Sequence, residues 1–238
     1  MQDPNAPHTA KVLDRELGDL LQKISRIGGL AENQLEAAAQ AILERDEDLA
    51  ARTIRKDSEI DALDSAIQQR GLEILALRSP VADDLRTVVS ALKVSSAFER
   101  VADYGANAAK RSMVLNTMPI LPATRAVVRL MQMVQKQLHS ATSAFVEGDM
   151  QLAVAVWEHD DEVDAVYSSL FREILTYMME DPRQISACAH LLFIAKNVER
   201  IGDHSTNIAE QTYFMVSGKQ LRDRPKADVT SSVKSFHS

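Results

Sequence analysis

Apolar residues recur at helical spacing along almost the whole chain. Leu17, Leu20, Leu21, Ile24, Ile27 and Leu30, continued by Leu35, Ala38, Ile42 and Leu43, predict one long amphipathic helix from about Val12 to Arg45. Gly28-Gly29 marks a soft spot or bend within it, because glycine costs about 1 kcal/mol in a helix interior. After the Asp-rich turn ERDEDLA, a second helix is predicted from about Leu49 to Leu77. Ser79-Pro80 then reads as an N-cap followed by a first-turn proline, with Asp83-Asp84 favourable at the helix start. That third helix runs from Pro80 to about Val114. NTMPILPAT, 116–124, forbids continuation, since two prolines lie three residues apart. Three more helices follow, at about 123–146, 150–180 and 182–216, with Asp149 as a cap, Asp181-Pro182 as a restart and Gly218 as a stop.

The second set of helices repeats the first. ERDEDLA at 44–50 matches EGDMQLA at 147–153, and KDSEIDAL at 56–63 matches HDDEVDAV at 159–166. ERVADYGANAAK at 99–110 matches ERIGDHSTNIAE at 199–210, the second half having lost three residues between the two motifs. The expected fold is all-α: six long helices forming two tandem, pseudo-symmetric three-helix bundles. The expected boundaries are a flexible N-terminus at 1–10, bundles at 11–115 and 124–217, a linker at 116–123 and a flexible tail at 218–238.

Composition narrows the function. Aromatics make up 5% of the chain and Gly and Pro are few, 8 and 7, which favours helix over sheet. The single cysteine, Cys188, rules out an internal disulfide and fits a reducing compartment. The first residues show no signal-peptide pattern, and no run approaches the ~18 apolar residues of a membrane helix. A net charge of −7 argues against a general nucleic-acid binder and suits a protein that collects cations.

The candidate chemistry lies in the repeated acidic stripes. Glu99, Asp103 and Asn107 recur every four residues on one helix face, as do Glu199, Asp203 and Asn207. The preceding helix of each half carries Asp57 with Asp61, or Asp160 with Asp164. Where two such antiparallel faces meet, four carboxylates converge and repel, and bound cations would remove that penalty. Carboxylates and carboxamides without cysteine are hard oxygen donors, suited to Mg, Mn or Fe(III), with Zn or Ca as alternatives. Taken singly, such pairs are usually solvated surface. Four at matched places favour a site.

The other singled-out residues read more blandly. Arg100 and Arg200 are expected to form i,i+3 ion pairs with Asp103 and Asp203, the functional alternative being orientation of a carboxylate or an anion contact. Asn107 and Asn207 could equally ligate or bond a neighbouring helix. His204, with Tyr104 in its place in the first half, is at most an accessory ligand. Cys188, Met131, Met133, Met178 and Met179 read as core, and Trp157 as a core or inter-helix anchor. No nucleotide-binding glycine loop and no Ser/His/Asp or Cys/His arrangement is present.

ERxxDxxxNxA in the third helix of each half, with DxExD in the second, resembles the PhoU family of phosphate-signalling proteins over about residues 12–217. The resemblance implies an all-helical protein of two three-helix bundles, often dimeric. It also implies multinuclear metal clusters held by Asp57, Asp61, Glu99 and Asp103, and by Asp160, Asp164, Glu199 and Asp203. It further implies a cytoplasmic negative regulator of phosphate uptake, acting at the inner membrane between the ATPase subunit of a phosphate ABC transporter and a two-component sensor histidine kinase. The competing readings are a carboxylate-bridged multi-metal hydrolase or oxidase, and a plain helical scaffold. The absence of a paired Glu-x-x-His element counts against oxidase chemistry.

Overall fold

The computed structural model describes residues 6–221, with side chains from residue 11. Its helices are α1 (Ala6–Glu44), α2 (Glu47–Arg78), α3 (Ala82–Leu115), α4 (Thr124–Glu147), α5 (Met150–Glu180) and α6 (Ile185–Ser217). A short 3₁₀ turn, Pro182–Gln184, precedes α6. α1 therefore begins inside the segment expected to be flexible, while residues 1–5 and most of the expected tail, 222–238, lie outside the described residues.

α1, α2 and α3 pack into one bundle and α4, α5 and α6 into a second. The two bundles join along α1 against α4 and α3 against α6. α3 and α6 are thus flanked on both sides and carry the small buried residues that allow close approach: Ala91, Ala102 and Ala109 on α3, Ala187, Ala195 and Ala209 on α6. One continuous apolar cluster runs through both bundles, from Leu20 and Ile24 through Phe98 to Leu130, Phe145 and Ile194.

The turns show how repeated sequence makes repeated structure. Asp46 caps α2 by accepting from the Leu49 amide at 2.8 Å, and Asp149 caps α5 by accepting from the Gln151 and Leu152 amides at 2.9 and 3.0 Å. Gly148 closes α4 in the left-handed region, φ 66°. Its first-half counterpart is Arg45, a non-glycine at φ 57°. Arg45 is held there because its guanidinium donates to the Asn116 and Met118 carbonyls, tying the α1 end to the linker between bundles. Those bonds offset the roughly 1–2 kcal/mol that a side chain costs in this conformation.

Three expectations change. Ser79 is not the cap of α3; it ends α2 in the left-handed region, φ 46°, and α3 starts at Ala82 with no side-chain cap bond. The chain path decides between the two ends: Ser79 closes α2, and extended Val81 leads into α3. Gly28-Gly29 does not interrupt α1, which is helical throughout. Met179 is 77% exposed, not core, whereas Met131 is fully buried and Met133 and Met178 pack against the core. Cys188 is buried, and burial pushes its thiol pKa up, so it is a packing residue. Trp157 bridges α5 to α6 by donating to Glu210 at 3.3 Å.

Candidate functional site

Long antiparallel helices bring the acidic stripes face to face. In the first bundle α2 carries Asp57 and Asp61, and α3 carries Glu99 and Asp103. Burial, followed by the charges of Asp57, Asp103 and Asp64, pushes the Asp61 carboxyl above its usual range. Glu99 is raised by burial first and then by Asp103, with Asp64 and Asp61 adding to it and Arg100 opposing. The four predicted residues therefore share one electrostatic environment, and a fifth carboxylate, Asp64, belongs with them. Asp64 accepts from Ser95 Oγ on α3 at 2.5 Å and from Gln68 Nε2 at 3.3 Å.

A third helix backs this face. Gln34 on α1 is 4% exposed, and its Nε2 donates to Asp57 Oδ1 at 3.0 Å and to the Ala102 carbonyl at 3.1 Å. Its Oε1 is buried without a hydrogen-bond partner. Gln137 holds the same place on α4. It is 3% exposed, Nε2 donates to Thr206 Oγ1 at 3.4 Å, and Oε1 is again buried without a partner. A Cβ at Gly202 would lie 3.4 Å from Gln137 Oε1 and 3.9 Å from Asp160 Oδ1, so this glycine brings the α6 backbone close to both oxygens. Sequence reading missed both glutamines because glutamine in an amphipathic helix is ordinarily solvent-facing. Their matched places one repeat apart were the available signal.

The second bundle is charged differently. Lys196 Nζ lies 2.6 Å from Glu199 Oε2 and 5.5 Å from the centre of the Tyr167 ring. Tyr167 is raised by burial first, with Lys196 opposing and Glu199 reinforcing, which places both charges beside the ring. His159, next to Asp160, pairs with Glu162 at 3.0 Å.

The accessory residues divide between the two sides of the α3/α6 seam. Arg100 makes the expected contact with Asp103, at 3.6 Å, and one of equal length with Glu99. Arg200 lies over the Tyr104 ring, 5.8 Å from its centre, and Tyr104 meets the His204 ring at 5.8 Å. Burial holds His204 below the usual imidazole range, with Arg100 adding and Asp203 opposing. Asn107 and Asn207 are both exposed, and Asn207 lines a cleft of about 320 Å³ with Lys93, Arg100 and His204.

Among the described residues, no group of three or more His, Cys, Asp or Glu side chains is drawn together as a preformed metal cage. The donor set nonetheless fits a hard cation: repelling carboxylates on two rigid helices, backed by a buried amide oxygen that lacks a partner.

The family model described as PhoU domain matches the chain twice, at residues 24–112 and 127–212. The Caulobacter vibrioides protein named phosphate-specific transport system accessory protein PhoU homolog is 45% identical, over 94% of this chain and 98% of its own length. A Xylella fastidiosa protein of the same name is 47% identical, over 95% of this chain and 94% of its own. The crystal structure of PhoU from Pseudomonas aeruginosa superposes with a TM-score of 0.84 at 35% identity, covering 87% of this chain and 99% of that one. The phosphate transport system regulatory protein PhoU from Streptococcus pneumoniae gives 0.81 at 26% identity, covering 89% of this chain and all of that one.

Proposed function

The chain belongs to the PhoU family, and from that premise we propose that it is an accessory protein of a phosphate-specific transport system that restrains phosphate uptake. It is a regulatory accessory protein rather than an enzyme, as its relatives' names are. In the finer reading, the protein represses the phosphate-starvation response when phosphate is plentiful. It does so between the ATPase subunit of the phosphate ABC transporter and the sensor histidine kinase of a two-component system, as a cytoplasmic homodimer held at the inner membrane by those partners. The observation that carries this reading is the identity of 45% over nearly the full length of both chains, covering both repeats. No described helix is long and apolar enough to cross a membrane, which fits attachment through partners.

The carboxylate faces are the sites of the same proposal. Asp57, Asp61, Glu99 and Asp103 would hold one metal cluster, and Asp160, Asp164, Glu199 and Asp203 the other. Bound cations would supply positive charge that neutralises the facing stripes and clamps the second helix of each bundle to the third. Gln34 and Gln137 would support the clusters from behind, through Asp57 in the first half and near Asp160 in the second.

Deleting the gene and measuring phosphate-regulated transcription in phosphate-rich medium tests the regulator. Derepression is expected, and unchanged repression would overturn it. Metal content of purified wild type, Asp103→Ala and Asp203→Ala tests the sites. Each variant is expected to lose part of the bound metal, and three equal values would remove the metal reading.

A further inference from the structure

The two repeats place different side chains in the layer next to the acidic motif. In the first repeat this layer is Asp64 and Gln68 on α2, with Ser95 and Ser96 on α3. Asp64 is fixed by Ser95 and Gln68, and Gln68 also donates to the Leu92 carbonyl at 3.0 Å and to Ser96 Oγ at 3.1 Å. In the second repeat the same four positions are Tyr167, Phe171, Ala195 and Lys196. The Tyr167 and Phe171 rings meet at 6.3 Å, tilted by 50°, and Lys196 reaches over Tyr167 to Glu199. An acidic layer at one site thus answers a basic, aromatic layer at the other.

The cation balance differs accordingly. Asp57, Asp61, Asp64, Glu99 and Asp103 face one another across α2 and α3 in the first bundle, and the Arg100 guanidinium stays 3.6 Å from Glu99 and Asp103 with its side chain 60% exposed. The second bundle brings an ammonium to 2.6 Å from Glu199, whose side chain is only 14% exposed. An ammonium is a point charge with three donors, so on a carboxylate oxygen it takes a position that a metal ion would use. Gln34, nine-tenths buried with its amide on Asp57 and its Oε1 unpartnered, is independent support for a ligand at the first face. Gln137 mirrors it, so the inequality resides in the layer of Asp64 and Lys196 and not in the backing glutamines.

We propose that the two carboxylate sites are unequal: the first repeat is the principal site for hard multivalent cations, with Asp64 as an additional oxygen donor, and Lys196 serves as a built-in cation that weakens metal binding at the second. This rests on the reading that the carboxylate faces hold metal, and it adds a residue-level rule for which face loads first. Asp64 binds through the oxygen not engaged by Ser95, and Ser95 and Gln68 hold the carboxylate in register with Asp61 and Glu99. Lys196 satisfies Glu199 at the second face, so that a metal ion arriving there must displace it.

The test is Mn²⁺ binding to the full-length, chelator-stripped protein, read by equilibrium dialysis with elemental analysis. Wild type is expected to bind Mn²⁺ in two classes of unequal affinity. Asp64→Asn is expected to weaken the tighter class about tenfold and leave the weaker one unchanged, the scale of one unit charge removed at close range. Lys196→Ser is expected to tighten the weaker class about tenfold and leave the tighter one unchanged. Lys196 has a 41% exposed side chain, so its variant carries the test even where Asp64→Asn folds poorly. Two equal classes in wild type, or a Lys196→Ser variant whose weaker class does not tighten, would overturn the inequality while leaving the metal sites standing. Wild type that binds no Mn²⁺ would overturn the metal reading itself, and the inequality with it.

Discussion

Glu16 on α1 is 8% exposed and is held by Arg78 at the end of α2, whose Nε and Nη2 each reach a carboxylate oxygen at 2.9 Å. Arg70 adds a contact at 3.3 Å. The Arg78 hydrogen bond is the largest influence on Glu16 and carries its pKa below the ordinary 4.5, outweighing burial. The sign follows from linkage: a carboxyl with a lowered folded-state pKa contributes stability that is complete above 4.5 and is lost as pH falls through the lower value. Glu16→Gln is therefore expected to be about 1–2 kcal/mol less stable at pH 7, a charged, half-buried bidentate bond having been removed. The gap from wild type should close on acidification below 4.5. Urea midpoints at a series of pH values check this. A gap that does not narrow as pH falls below 4.5 would show that the loss comes from packing and not from the ion pair.

At the scale of the helix, α1 shows why two adjacent glycines need separate accounts. A Cβ at Gly28 would lie 2.6 Å from Thr142 Cγ2 and 3.0 Å from Phe98 Cζ, while one at Gly29 would meet nothing within 4 Å. Thr142 cannot easily turn away, since its hydroxyl is bonded to Glu32 and to the Leu138 carbonyl, both at 2.8 Å. Gly28→Ala should therefore lose stability by about 1–3 kcal/mol in overpacking, against a helical gain of at most about 1 kcal/mol. Gly29→Ala should gain roughly 0.5–1 kcal/mol, having only the helical term. Thermal denaturation of the two variants should move in opposite directions. The pair also marks how far sequence reaches. Apolar periodicity made all six helices legible because each buries one face along its whole length. The eight acidic positions were legible because each recurs one repeat later. Asp64 was not, because Tyr167 stands where its counterpart would be, and comparison of the repeats passes over a carboxylate without one. Gly28 read as a bend because its reason is a residue on α4, distant in sequence. Ser79 read as a cap because its local chemistry suits either end of a helix, and only the chain path shows which.

For the whole molecule, the issue is whether two repeats make two units. Glu32 on α1 accepts from Thr142 Oγ1 at 2.8 Å and meets His139 Nδ1 at 3.0 Å, both on α4. Arg111 on α3 lies 4.2 Å over the Phe193 ring on α6, and Arg86 on α3 donates to the Met215 carbonyl at 3.2 Å. Beneath these contacts the apolar core is continuous between bundles, so separating them would expose buried faces of α1, α3, α4 and α6 together. Removing apolar surface from water is worth about 25 cal/mol per Å², and a seam formed by four helices is large on that scale. Neither bundle should then survive long after the other opens, and unfolding should be a single cooperative step. Trp157, the one tryptophan, sits on α5 and reports on the second bundle alone, whereas far-UV circular dichroism reports on all six helices. Urea unfolding followed by the two signals is expected to give the same midpoint within error. A fluorescence midpoint displaced from the dichroism midpoint would mean that the bundles unfold separately. In that case the contacts of Glu32, Arg111 and Arg86 would join two independent domains, and cation loading at one face would carry no consequence for the other.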